Sequence, residues 1–230
     1  MFLRYIHKFR GIAILFVVAG HCYGLSSWHI DTFAEKAFVT LISGGSVLFV
    51  FISGFLFHHV FFKKFHFRTF MTKKIQNVLT PYLLLSIAPI IYLVFFKGAG
   101  MVPYSDYLFL HEDGIYYQYL RPIILYLWSG SFMTAYWYIP FIMIMFLMSP
   151  LFVAFIKLNP TTRILSFFIM LMIAVFIHRP VGNLYPLQSV VYFSPVYAYG
   201  ILASIHWDAI YRYLKGKELY MLGLTRPRPG

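Results

Sequence analysis

The sequence predicts an all-α, polytopic membrane fold of about six transmembrane helices with its N-terminus in the cytoplasm, and three observations carry that reading. The 230 residues are 60% hydrophobic, 21% aromatic and only 11% charged, too little polar material to cover a soluble globule. Apolar runs recur at 11–28, 37–57, 78–96, 137–156, 164–177 and 190–206, and a further segment at 120–134 leaves a seventh span open. Several of these runs fall short of the ~20 residues that usually cross a bilayer, so their ends are loosely fixed.

Charge supplies the third observation. With six alternating crossings, the inner segments hold 15 of the 19 basic residues, and Lys36, Lys97, Arg121 and Arg179 fall outside. Cytoplasmic connections are enriched in Lys and Arg, so this asymmetry orients the chain and favours six crossings over seven. The net charge of +12 is thereby a topology signal. Nucleic-acid binding is not needed to explain it, because the basic residues flank apolar spans.

The first apolar run follows Arg4, His7, Lys8 and Arg10. A basic start of this kind resembles a secretory leader, but no small-residue cleavage site follows, so it reads as a retained span. Arg10 and His21 lie eleven residues apart. At about 100° and about 1.5 Å per residue they share one helix face within roughly 20°, at depths roughly 16 Å apart. Ile14, Val17 and Gly24 lie near that stripe. Ionisable groups are costly in hydrocarbon, so the face is expected to meet protein or water. Cys22 is the only cysteine, which excludes an intramolecular disulfide and a cysteine-based metal cluster. Adjacent helix residues point about 100° apart, so Cys22 and His21 are poorly placed to act as a pair.

The second run contains Ser43-Gly44-Gly45-Ser46 and then Phe49-Val50-Phe51-Ile52-Ser53-Gly54-Phe55. Small residues here allow close helix packing or contact with a ligand, and both readings stand. Between the second and third runs, His58, His59, Lys63, Lys64, His66, Arg68, Lys73 and Lys74 alternate with six phenylalanines. An interfacial helix would explain this, its rings entering the headgroup boundary of membrane lipid. A cationic site for a phosphorylated cytoplasmic substrate would explain it as well. No carboxylate accompanies the three histidines, so no metal is expected.

The outer connection 97–121 carries Asp106, His111, Glu112 and Asp113 among five tyrosines; a sugar-binding surface and an ordinary solvated aromatic belt both fit. Tyr136-Trp137-Tyr138-Ile139-Pro140 then leads interfacial aromatics into the fourth run. The run 164–177 has no distinguishing residue, and 190–206 contains Pro195 and Gly200, which allow a kink. No repeat and no phosphate-cradling glycine-rich loop is present. One transmembrane unit over 1–210 and a cytoplasmic tail over 211–230 are expected.

Taken in order, Arg10 and His21, the run Phe49 to Leu56 ending in Ser53-Gly54-Phe55-Leu56, the basic Lys73-Lys74, Pro81-Tyr82, Trp137-Tyr138-Ile139 and the downstream Pro150 resemble the integral-membrane acyltransferase-3 family. These are bacterial O-acyltransferases that modify surface glycans. The resemblance implies a multi-pass protein of the bacterial inner membrane that transfers an acyl group, usually acetyl from acetyl-CoA, to a hydroxyl of a carbohydrate or glycolipid acceptor. It implies His21 as the catalytic base or acyl-handling residue, with Arg10 contacting the donor or holding the site. Lys73 and Lys74 are candidates for the donor, and Ser53, Gly54, Trp137 and Tyr138 for the acceptor. Two departures stand out. Ala135 occupies a place where many members have a histidine, and members usually have more spans and a longer chain, so the transmembrane unit is expected to be incomplete. A small non-enzymatic transporter and an inactive truncated remnant are the competing readings. The transporter would lack the paired intramembrane carboxylates expected for proton coupling.

Overall fold

A computed structural model describes residues 2–25, 32–97, 114–133, 135–180 and 184–215, and among these every regular element is helical. Most of the 97–121 connection that carried the candidate sugar-binding carboxylates, and the tail from 216 onward, lie outside the described residues.

The chain opens on α1 (Phe2–Leu25), unbroken through Arg10 and His21. Helix α2 (Phe33–Ser43) starts at Thr32, whose hydroxyl accepts from the Glu35 amide at 3.3 Å while the Glu35 carboxylate accepts from the Thr32 amide at 2.9 Å. This reciprocal cap satisfies two backbone donors that have no partner within the helix. Helix α3 (Gly45–Leu56) continues α2 and ends in a π-helical turn over Phe57–Phe61 and a 3-10 turn over Phe62–Lys64. Helix α4 (Phe67–Lys74) runs through another π turn, Ile75–Leu79, into α5 (Thr80–Ile91). A short α6 (Arg121–Ser129) and the pair α7 (Tyr138–Leu147) and α8 (Ser149–Lys157) follow, then α9 (Pro160–Ile177), α10 (Pro186–Ile205) and α11 (Trp207–Leu214).

Three helical stretches are long and apolar enough to cross a membrane: Phe33–Lys64, Phe67–Lys97 and Pro160–Ile177. A fourth follows if α7 and α8, which meet at 52°, form one broken span. Pro150 at the start of α8 explains the break, because proline supplies no amide to continue the ladder from α7. Helices α1 and α10 occupy the positions expected of the first and last spans without meeting that test on their own. In α10 the apolar run is diluted by Gln188, Ser189, Ser194, Pro195 and Ser204. In the segment at 120–134, α6 and the π turn Tyr116–Leu120 that runs into it end at Ser129, short of a crossing. Large apolar side chains such as Leu15, Leu84 and Phe176, at 67%, 64% and 74% exposure, line the outside, as a bilayer-covered surface requires.

The centre of the molecule is the crossing of α3 and α10, the most extensively packed helix pair. Small residues set its closeness. A Cβ on Gly54 would collide with the Tyr197 carbonyl, and one on Gly200 with the Phe51 carbonyl, so the two backbones touch where bulkier residues would hold them apart. Around the crossing, Phe57, Phe141, Met145, Phe193, Tyr197 and Ile201 form the main core. Helix α1 packs on the other side of α3, where a Cβ on Gly45 would strike Val17. At the same end as Lys64, the His58 ring meets Ser204 across a 2.8 Å hydrogen bond that ties the π turn to the end of α10.

Candidate active site

Two adjoining cavities open at the end of the bundle that carries the basic residues of the 57–74 segment. The first, about 180 Å³, is lined by Arg10 of α1, Ser53 of α3, Lys74 of α4, Phe146 of α7 and Tyr197 of α10. The second, about 230 Å³, is lined by Lys64, His66, Lys73, Lys74 and Asn77. Phe61, Phe70 and Lys74 line both and form the partition between them.

Local structure explains how five elements converge there. The π turn after α3 swings Phe57 and Phe61 toward the core. Extended residues at Phe65 and His66 then reverse the chain into α4, so Phe70 and Lys74, one helical turn apart, face back at the turn they left. The Lys74 ammonium lies 5.0 Å from the centre of the Phe61 ring, 5.2 Å from Phe70 and 4.5 Å from Phe146. Aromatic faces attract a cation at such distances, yet they leave its charge uncompensated. The charged group acting on Lys74 is another cation, Arg10, and among the described residues no ion pair involves either one. Two cations facing a shared space without a carboxylate make a place for an anion with more than one negative charge.

Beyond the cations the lining becomes neutral. Ser53 interacts with the Tyr138 hydroxyl behind it, and Tyr138 sits with its ring 6.3 Å from that of Phe49.

The residues proposed from sequence therefore separate into three groups. Arg10, Lys74 and Ser53 line one cavity, Lys73 the adjoining one, and Tyr138 stands directly behind Ser53. His21 is half-buried on α1 and is not among the residues lining either cavity. Val17, on the same stripe between Arg10 and His21, packs against Gly45 of α3. Gly54 and Trp137 belong to the core. Gly54 makes the crossing with α10, and Trp137, 8% exposed, stacks on Phe193 at 6.1 Å. The Arg179 guanidinium lies 5.5 Å from the Trp137 ring. Among the described residues no three of His, Cys, Asp and Glu converge as a metal site would need.

Sequence reasoning passed over Tyr197, Phe146 and Asn77. A tyrosine inside an apolar run beside Gly200 and Pro195 was the available signal for the first, since a buried phenol needs a reason to be there.

Residues 3–219 match the family model of an acyltransferase domain, acyltransferase 3. The chain belongs to the acyltransferase-3 family. No curated protein and no solved structure matches it. Within this acyltransferase, the motifs that carried the resemblance separate in space: Arg10, Ser53 and Lys74 at the cavity, Gly54 and Trp137 in the core around the α3–α10 crossing, Tyr82 in a second apolar cluster with Tyr126 and Phe132, and His21 on α1 outside both cavities.

Proposed function

We propose that this acyltransferase takes an acetyl group from acetyl-CoA and passes it to a hydroxyl of a cell-surface glycan or related carbohydrate, working in the bacterial inner membrane. In this reading six segments cross the membrane with the N-terminus in the cytoplasm, and the two basic cavities open toward the cytoplasmic pool of the donor. The positive-inside distribution supports that orientation.

The observation that carries the reading is the pair Arg10 and Lys74, uncompensated in one cavity and continuous with Lys64 and Lys73 in the next. Coenzyme A presents a diphosphate and a further phosphate at one end and a neutral thioester arm at the other. Arg10, Lys73 and Lys74 would hold the phosphates, with the forked guanidinium of Arg10 suited to two oxygens at once. The arm would extend past Ser53 and Tyr138. It would pass the Val17–Gly45 contact to bring the thioester to His21. There a neutral imidazole takes the proton of the acceptor hydroxyl as its oxygen attacks the thioester carbon. The carbon–sulfur bond breaks, an ester forms, and the proton passes to the departing thiolate, giving free coenzyme A.

Membranes holding the full chain, supplied with labelled acetyl-CoA and a panel of acceptor glycans, test the reading. Label is expected to move onto glycan. Uptake of a substrate without acylation would instead indicate a transporter, and neither outcome would indicate an inactive protein.

A further inference from the structure

We propose that the Tyr197 hydroxyl is part of the donor site, where it hydrogen-bonds a carbonyl oxygen on the neutral arm of the thioester carrier. The inference rests on the acetyl-CoA reading of the cavities and adds a residue, and a division of labour, to it.

Tyr197 lines the same cavity as Arg10, Ser53 and Lys74. It is fully buried, and its hydroxyl has no hydrogen-bond partner. An O–H withdrawn from water without a partner is a standing cost to the fold, and native proteins concentrate such departures where a ligand supplies what is missing. Two other buried hydroxyls also lack a hydrogen bond, those of Ser149 and Ser189, but neither residue lines either cavity. Serines inside helices also have a local recourse in the carbonyl one turn back. The tyrosine does not, because its hydroxyl stands a full ring away from its own backbone.

Nor is the ring free to turn elsewhere. It packs 4.5 Å from Phe152 and 6.1 Å from Phe57, and its backbone is pinned against Gly54. The hydroxyl is thus held in place as a donor before anything binds. An acceptor that enters the cavity would supply the missing partner. The two cations already suit phosphate oxygens, whereas a neutral O–H among the hydroxyls of Ser53 and Tyr138 suits an uncharged carbonyl such as those of the pantetheine amides and the thioester.

The test compares two ligands on the purified full chain in detergent by calorimetry: coenzyme A, and adenosine 3′,5′-bisphosphate, which carries phosphates but no arm. Tyr197→Phe removes only the hydroxyl. It is expected to weaken coenzyme A binding about tenfold, the order of one uncharged hydrogen bond, to leave the bisphosphate unchanged, and to keep or raise the melting temperature. Equal binding of coenzyme A by the variant and the wild type would overturn the role of Tyr197 alone. Loss of both ligands together, or a fall in melting temperature, would mark the hydroxyl as structural and overturn it too. A wild type that binds neither ligand would overturn the donor reading itself.

Discussion

The ammonium of Lys74 lies 4.5 Å from the centre of the Phe146 ring and lines the same cavity as Arg10, so two like charges from distant parts of the chain face one space, one of them against aromatic rings. Such an arrangement costs stability and is retained where an anion repays it. Lys74→Met is therefore expected to raise KM for acetyl-CoA roughly 10- to 100-fold, the loss of a charged hydrogen bond worth about 1.5–3 kcal/mol. Its melting temperature should be equal to or above that of the wild type. Unchanged KM in membrane assays would remove Lys74 from the donor site.

His21→Ala should abolish glycan acetylation while protein abundance stays normal, with the loss of a general base costing about 10²–10⁴-fold. Full acetylation in cells that carry this variant at normal levels would sink the assignment.

Glycines in this chain should respond in opposite ways. A Cβ at Gly54 or Gly200 meets backbone across the α3–α10 crossing, while at Gly11 it meets nothing within 4 Å. Gly54→Ala and Gly200→Ala are expected to destabilise by about 1–3 kcal/mol or more. Gly11→Ala should be neutral or stabilising by up to about 1 kcal/mol, because alanine restricts the unfolded chain and favours helix. Melting temperatures of the three variants in detergent check this directly.

Tyr82 closes the end of α6. Its hydroxyl donates to the Leu127 carbonyl at 2.7 Å, one of the last carbonyls of that helix, which lack an intrahelical partner. Tyr82→Phe leaves the carbonyl unpaired beside the buried Phe132 ring, 5.8 Å from Tyr82. A loss of about 1–2 kcal/mol in stability, with donor KM unchanged, is expected.

The helical membrane class was legible in composition and in the recurrence of apolar runs, because both follow from covering a surface with too few polar residues. That one continuous helix carries Arg10 and His21 was legible from the first apolar run. The phenylalanines at 57–70 were ambiguous for a physical reason: rings that enter a headgroup layer and rings that wall a cation are written with the same residues at the same spacing. The π turn that ends at Phe61 and the extended residues Phe65 and His66 together bring Phe61 and Phe70 around Lys74. Gly54 stood beside Ser53 as a ligand candidate, yet the two point to different neighbours, one to the α10 backbone and one to the cavity. Adjacent helix residues diverge by about 100°, and which of two faces is filled depends on the partner helix. Tyr197 could not be singled out, since a missing hydrogen bond is a property of the assembled interior.

The two cations have a consequence for turnover. On the acetyl-CoA reading proposed above, a carrier that has given up its acetyl group keeps every one of its phosphates, so a grip built from Arg10 and Lys74 would hold spent and loaded forms alike. Only contacts along the uncharged arm can tell them apart. Free coenzyme A should then compete with the donor, and departure of the spent carrier, eased by added salt that screens the grip, would set the pace of each cycle.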